Sequence, residues 1–574
     1  MTEDDAGLVR AARAWIEGDP DPETVRELSE LVSSGDTAAL RERFLPLAFG
    51  TAGLRGVVGA GPGRMNRAVV RRTTRAVAEH LLARDPDARK LPVVVGFDAR
   101  VSSALFADEV VGVLAAAGLP VRYFAEPVPT PLVAYAERAL SGSAAVVVTA
   151  SHNPPEYNGY KLYAASGVQI VPPADLDIER RIREMPPARA IRVAEGAMRG
   201  AHPEARPVPD SIVERYFSDL AVLRTTAPAD RSVRIVYTAL HGVGARFTTR
   251  ALREAGFSSV TVVPEQVEPD GRFPTVRFPN PEDPRALELA LRLAAERDAD
   301  LVLANDPDAD RLAVAVRTPA GRFVVLSGNQ VGVLLADFVL EHEVFPRPLV
   351  VSTVVSTPMT RAIAKARGAR FEETLTGFKW IWNAAMELEE SERVRFVFGF
   401  EEAIGYSVGR AVRDKDGISA ALVFAELAAH CRARGESVLE RLASLYERHG
   451  VWASAERSVE RSGVAGASEI ERAVDGLSRV PPNELGGHPV CEVVDYRRGA
   501  ERRPAWLPAA PLVALDLGPS GRVLVRPSGT EPKLKIYVDL RADAPAGDRI
   551  WPVEEELRSA AAAVAEELVR FLGF

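Results

Sequence analysis

The feature that most constrains this chain is a series of short, wholly apolar runs that end in polar loops and alternate with helical stretches. Val93-Val-Val-Gly96 leads through Phe97-Asp-Ala-Arg100 into a helix ending near Gly118. Ala144-Ala-Val-Val-Val148 follows and closes on Thr149-Ala-Ser-His-Asn-Pro154. Val233–Tyr237, a helix and Leu301–Ala304 repeat the arrangement and end in Asn305-Asp-Pro-Asp-Ala-Asp-Arg311. A third copy runs from Leu349–Thr353 through a helix to Phe396–Phe398, then into Gly399-Phe-Glu-Glu-Ala-Ile-Gly-Tyr406. Strands that are apolar at every position belong to parallel sheets covered on both faces by helices. Ligands of such sheets gather at the carboxyl ends of the strands. Three such loops are therefore expected to face one cleft.

The rest of the chain reads differently. The first forty residues are helical, interrupted at Gly18-Asp-Pro-Asp-Pro22. Near the end, Gly521–Arg526 and Leu534–Leu540 form a hairpin, and a helix follows from about Val553 to Leu572. The expected fold is α/β: three similar domains with mixed, mostly parallel sheets around a central cleft, plus a smaller C-terminal α+β domain. At roughly 150 residues per domain, 574 residues suit four such units. Their expected bounds are 1–205, 206–320, 321–450 and 451–574, with Pro203–Pro209 and Pro481-Pro482 as linkers and a boundary near Gly321.

Charge and apolar patterning narrow the partners. A net charge of −8 argues against a general nucleic-acid binder, which needs clustered Lys and Arg. No apolar run approaches the ~18 residues of a spanning helix; Val331–Leu340 is short and holds Asp337. Two cysteines, Cys431 and Cys491, are too few for a disulfide framework or a Cys-based zinc site. The expectation is a cytoplasmic protein with no nucleic-acid or membrane partner, monomeric or homodimeric.

Four loops carry chemistry. Ser151 sits at a buried strand end before Asn153-Pro154, without the flanking glycines of a hydrolase nucleophile elbow; an ordinary Ser/Asn turn is the alternative. Asp306, Asp308 and Asp310 occupy alternate positions of a loop that reads as extended. Arg311 stands where a calcium hand requires glycine, so three carboxylates on Mg²⁺ is the better reading. A solvated acidic loop is the alternative. Glu401 and Glu402 close a strand and suit the hydroxyls of a sugar, or form a surface pair. Arg526-Pro-Ser-Gly-Thr-Glu-Pro532 offers a guanidinium, two hydroxyls and the amides of a glycine turn to a dianion, or is a plain hairpin turn.

These motifs, with Gly50-Thr-Ala-Gly-Leu-Arg-Gly56 and Asn158-Gly-Tyr-Lys161, resemble those of the α-D-phosphohexomutase superfamily, the phosphoglucomutase/phosphomannomutase enzymes. They occur in that family's order from about residue 45 to the chain end. Trp15–Pro20, Leu375-Thr-Gly-Phe-Lys-Trp380 and Arg413-Asp-Lys-Asp-Gly417 are similar to one branch. That branch holds bacterial phosphoglucomutases with eukaryotic phosphopentomutase and glucose-1,6-bisphosphate synthase enzymes. Ala403 stands where classical glucose-specific members carry Ser, a departure that bears on sugar choice and not on the chemistry.

The resemblance implies an isomerase that moves phosphate between the 1- and 6-positions of a hexose, glucose first and mannose second, by way of a phosphoserine and a bisphosphorylated sugar. It implies Ser151 as the phosphate carrier, one Mg²⁺ on Asp306, Asp308, Asp310 and the serine phosphate, and a sugar bisphosphate as activator. Glu401 and Glu402 would hold sugar hydroxyls, and Arg526, Ser528, Gly529 and Thr530 the substrate's second phosphate. Arg55 and Arg311 would neutralise charge; Thr376, Gly377 and Lys379 would line the substrate site. His152, Lys161 and Lys415 are the candidates for proton transfer. A phosphopentomutase acting on ribose or deoxyribose phosphates is the alternative enzyme, and a non-catalytic sugar-phosphate sensor the alternative class.

Overall fold

The computed structural model describes residues 3–50, 53–225, 229–461, 463–528, 533–545 and 549–574. Val93–Phe97 and Ala144–Val148, each buried at all five positions, pair in parallel at the centre of a six-stranded sheet. The sheet order is Leu54–Val57, Tyr157–Ala164, Ala144–Val148, Val93–Phe97, Val121–Tyr123 and Ala205–Pro207. Tyr157–Ala164 runs antiparallel to its neighbours on both sides, so the parallel centre has an antiparallel edge. The second sheet repeats the plan, with Ile235–Thr238 parallel to Leu301–Asn305 and Leu312–Arg317 returning antiparallel. In the third sheet, Pro348–Thr353 lies parallel to Arg395–Glu401, which Gly405–Val408 pairs antiparallel. Each of these centres is the apolar run that the sequence marks. In all three, the antiparallel partner is the strand that follows the polar loop. The loop therefore sits as a tight connection at one sheet end.

The fourth sheet is antiparallel throughout and has its own core, built from Val523, Val525, Ile536 and Val538 against Val564 and Leu568 of the helix Ile550–Phe571. Four details depart from the sequence reading. The N-terminal segment forms three helices rather than two, because Gly35 (φ +70°) ends Pro22–Ser34 and Asp36 caps Thr37–Arg43. Pro203–Pro209 is not a linker: Ala205–Pro207 is the last strand of the first sheet, where an edge tolerates proline. Pro481-Pro482 joins the helix Gly463–Arg479 to Glu484–Leu485 inside the fourth unit. The second sheet likewise takes in Phe323–Val325, beyond the boundary expected at 320. Among the described residues, no helix is long and apolar enough to cross a membrane.

Candidate active site

The serine loop is held from behind. Thr149, the residue after the buried strand, accepts the Ser151 N–H at 2.9 Å and donates to Asp98 Oδ2 at 2.7 Å. Asp98 also accepts the Ser103 hydroxyl and the Arg100 amide. The Arg100 guanidinium reaches over the loop and donates to the carbonyls of Ser151 (2.8 Å), Pro154 (2.6 Å) and Tyr157 (2.9 Å), and also to that of Asn153. This lattice keeps Ser151 in the left-handed region (φ +51°), a conformation that costs a non-glycine residue on the order of 1–3 kcal/mol. The Ser151 hydroxyl donates to Asp306 Oδ2 at 2.6 Å, and His152 Nδ1 lies 3.1 Å from the serine Oγ. Arg55 donates to Asn153 Oδ1 at 3.0 Å.

The acidic loop is neither extended nor solvated. Ala309 adopts φ +54° and donates back to the Asp306 carbonyl, so the loop folds over and its three carboxylates converge. Asp306, Asp308 and Asp310 are all fully buried. Lys161 Nζ donates to Asp308 and Asp310 at 2.7 Å each, Lys415 Nζ lies 2.9 Å from Asp310, and Thr130 donates to Asp308 at 2.7 Å. Arg311 gives its amide to Asp306, and its guanidinium lies 3.5 Å from Glu282. Gly417 is required by close approach: a Cβ there would collide with the Arg311 carbonyl, so its absence docks the Arg413–Gly417 segment onto the acidic loop.

The donor set fits a hard divalent cation. One oxygen from each Asp lies within 4.8 Å of the others. Asp308 Oδ1 and Asp310 Oδ1 are buried without a hydrogen-bond partner among the described residues, a costly state for a carboxylate oxygen. Three carboxylates face two ammonium groups. Burial and the two neighbouring carboxylates push Asp306 well above the usual carboxylate range. Lys161 overcomes burial at Asp308 and holds it low. All-oxygen ligation favours Mg²⁺, Ca²⁺ or Mn²⁺ over zinc.

The third loop brings in the glutamates. Glu401 accepts the Gly377 amide at 2.6 Å, and Glu402 accepts the hydroxyls of Ser356 (3.2 Å) and Thr353 (3.3 Å). Ile404 follows at φ +53°, a rare conformation for a β-branched residue. Each of the three loops thus carries one non-glycine residue in the left-handed region: Ser151, Ala309 and Ile404. The second and third loops are joined directly, Leu312 donating to the Ile404 carbonyl and Arg311 bridging Gly405. Burial, then the neighbouring Glu401, pushes the Glu402 carboxyl up to about 7.

Arg526 comes from the fourth domain. It donates to the Tyr537 hydroxyl at 2.9 Å, its Nε has no partner among the described residues, and it shares a cleft of about 280 Å³ with Thr376, Lys379 and Gly50. The Ser528 amide closes the hairpin on Lys533 O at 2.7 Å. Gly529 and Thr530, like Thr51 and Ala52 of the first glycine-rich turn, lie outside the described residues. The proton-transfer candidates separate: burial and nearby arginines push His152 well below its ordinary value, leaving a neutral imidazole. Lys415 is instead drawn up by Asp310 and Asp414 against its burial. Sequence reasoning missed Arg100, Asp98, Thr130 and Arg522. The last donates to the Ser356 carbonyl at 2.6 Å and pairs with Asp539 at 3.0 Å, tying the fourth domain to the group that holds Glu402. Only Asp98 and Arg100 had a signal, their place at a strand end.

Comparison with known proteins agrees with this geometry. Four domain models described as phosphoglucomutase/phosphomannomutase match in order: α/β/α domain I over residues 46–188, domain II over 214–321, domain III over 327–449 and the C-terminal domain over 511–556. A Haemophilus influenzae protein named "Probable phosphomannomutase" is 38% identical over 493 residues, covering 85% of this chain and 95% of its own. The mouse phosphopentomutase is 35% identical over 570 residues, covering 94% and 91%. Among crystal structures, a phosphoglucomutase/phosphomannomutase family protein from Burkholderia thailandensis superposes with a TM-score of 0.63. It is 23% identical and covers 90% of this chain and 97% of its own.

Proposed function

The chain belongs to the phosphoglucomutase/phosphomannomutase family and is a phosphosugar mutase, and from that premise we propose that it interconverts hexose 1-phosphate and hexose 6-phosphate, glucose first and mannose second, through phosphorylated Ser151. The observation that carries the reading is the Ser151–Asp306 contact. It sets a single buried hydroxyl against a buried carboxylate cluster contributed by the next domain.

In the working form, the serine phosphate is attacked by the free hydroxyl of a sugar monophosphate. The serine O–P bond breaks as the sugar O–P bond forms, giving a bisphosphate and a free serine. The bisphosphate turns over in the cleft, and its other phosphate returns to Ser151. Asp306, Asp308 and Asp310 would hold Mg²⁺ together with the serine phosphate; the bound ion supplies neutralisation of the transferring phosphoryl group. Arg55 and Arg311 add positive charge beside the serine. Neutral His152, next to the serine oxygen, is suited to take the proton of the attacking hydroxyl and return it. Lys161 and Lys415, committed to Asp308 and Asp310, act as fixed ammonium charges. Glu401 and Glu402 receive sugar hydroxyls, because carboxylates repel phosphate. Arg526, with Ser528, Gly529 and Thr530, holds the phosphate that is not transferred, and Thr376, Gly377 and Lys379 complete the cleft wall. A catalytic amount of hexose bisphosphate would restore enzyme that has lost its serine phosphate.

Two measurements test this. Intact mass should show a phosphoryl adduct that disappears on incubation with excess sugar monophosphate, which leaves as the bisphosphate, and Ser151→Ala should lack both adduct and mutase activity. A phosphopentomutase reading is favoured by Ala403 and by the likeness to the mouse enzyme. Isomerisation rates for glucose, mannose and ribose 1-phosphates, side by side with bisphosphate activator, decide between them.

A further inference from the structure

A second large concavity of about 690 Å³ lies away from the catalytic groups, where the helix Thr130–Ala139, the helix Asp210–Ala221 and the third sheet meet. Five arginines line it: Arg138, Arg215, Arg224, Arg395 and Arg410. Two carboxylates do so as well, and both are engaged. Asp219 accepts the Tyr135 hydroxyl at 2.7 Å, and Glu343 accepts the amides of Val344 and Phe345. Among the described residues, about half of the arginines of this acidic chain sit in ion pairs. Here Arg410 pairs with Glu389 and Arg224 lies 4.0 Å from Glu426, but Arg138, Arg215 and Arg395 pair with no carboxylate among the described residues. Arg138 is half-buried and spends its hydrogen bonds on the Arg410 and Ala411 carbonyls, which leave its charge unbalanced. Its neighbour Glu137 offers little relief, because burial pushes that carboxyl up to about 8.

We propose that this pocket binds a small anion of the di- or polyphosphate class, with any organic part of the ligand resting on the apolar wall of Leu223, Phe338 and Val397. Exposed arginines on a convex surface are dispersed in water. Gathered around a concave, partly apolar floor, they focus a positive field, and guanidinium is the side chain best matched to phosphate oxygens. The volume lies within the range of small-molecule sites.

The pocket is also tied to the catalytic cleft through shared elements. Thr130, the first residue of the ten-residue helix that carries Arg138, bonds Asp308 through both its hydroxyl and its amide. The helix is a rod of about 15 Å at the standard rise. The strand Arg395–Glu401 has Arg395 at the pocket end and Glu401 at the cleft end. An anion that draws the arginines together would act on the elements that position the metal and sugar groups, to the extent that its affinity differs between open and closed clefts. The inference concerns binding and stands apart from the mutase reading.

The test uses the full chain with pyrophosphate as probe. Arg526→Ala serves as background, so that the cleft's own phosphate-binding arginine contributes nothing. Calorimetric titration of this variant should give a dissociation constant below about 1 mM at low salt. Adding Arg215→Glu and Arg395→Glu, both exposed and remote from the cleft, should weaken binding at least tenfold. Circular dichroism should stay unchanged. Arg215→Gln with Arg395→Gln should weaken it less than the charge reversal. Equal affinity with and without the reversal, or no binding by the background variant, overturns the proposal.

Discussion

The serine–aspartate centre and the Arg526 arm both handle phosphate, yet they are built in opposite ways. At the first, Ser151, Lys161 and three aspartates are buried, and one oxygen of every aspartate is already held by a hydroxyl or ammonium group, with Asp308 Oδ1 and Asp310 Oδ1 left to a cation. At the second, one guanidinium reaches from another domain, and among the described residues it has one hydrogen bond, to a tyrosine hydroxyl, and an unpartnered Nε. Phosphoryl transfer depends on fixed position and charge, so its groups are immobilised before substrate arrives. A group that must take up a phosphate, then release it as the bisphosphate reorients, gains from few commitments of its own. The contrast between a preorganised centre and an adaptable clamp can be broken or sharpened by substitution.

The largest effect should come from the rigid centre. Ser151→Ala should lower mutase turnover by about 10³-fold or more, since it removes the group that forms the covalent intermediate. Asp308→Asn should approach the same loss while the fold, read by circular dichroism, persists. Magnesium should bind the phosphorylated form more tightly than the dephosphorylated form, measured by calorimetry. If Asp308→Asn alters only KM, the centre is not preorganised for transfer and the contrast fails.

The clamp should respond differently. A charge-assisted bond to phosphate contributes about 1.5–3 kcal/mol, so Arg526→Ala should raise apparent KM roughly 10–150-fold. Transfer from phosphorylated Ser151 to a small unphosphorylated acceptor should change far less. Equal loss in both reactions would move Arg526 into the transfer machinery.

A smaller effect is expected at Arg100, which contacts no reacting atom. Lysine keeps its charge but not the fork that spans four carbonyls. Arg100→Lys should therefore lower kcat by about tenfold, a loss of ~1.4 kcal/mol in positioning, with KM nearly unchanged. A rise in KM with kcat intact would mean that the loop serves binding.

Which of these parts the sequence disclosed follows from how local their causes are. The apolar runs Val93–Gly96 and Ala144–Val148 specify buried parallel strands by themselves, and the residues after them are forced to the strand ends. The Asp triplet was legible for the same reason. Its folded-over shape was not, because φ +54° at Ala309 is imposed by contacts with Gly417 and Asp306 and leaves no mark in the residue type. Thr130 and Arg522 were invisible for a related reason: each acts on a partner more than 150 residues away. Pro203–Pro209 misled because proline marks both linkers and edge strands.

The smallest predicted effect, at Glu402, asks whether the sugar-reading pair belongs with the rigid centre or the adaptable arm. Its carboxyl titrates at about 7 in the folded chain, raised by burial and then by Glu401. An unfolded glutamate titrates near ~4.3. Between these values the folded chain keeps a proton that the unfolded chain has lost. The group's favourable contribution to stability is therefore complete below the unfolded value and lost as pH rises through about 7. Sugar hydroxyls donate to the ionised form, so sugar binding should move the opposite way and strengthen as pH rises from 6 to 8. The substrate phosphate, with its own second pKa near ~6, adds a trend of the same sign. Glu402→Gln separates the two, since it removes the carboxyl and keeps the phosphate. The native protein should show a fall in apparent KM of several-fold across this interval. The variant should show only the smaller phosphate-driven part, and its stability should lose less between pH 4 and 7. Parallel KM profiles in the two proteins would mean that the Ser356 and Thr353 hydroxyls hold Glu402 as a fixed structural acceptor, and the pair would then join the preorganised centre.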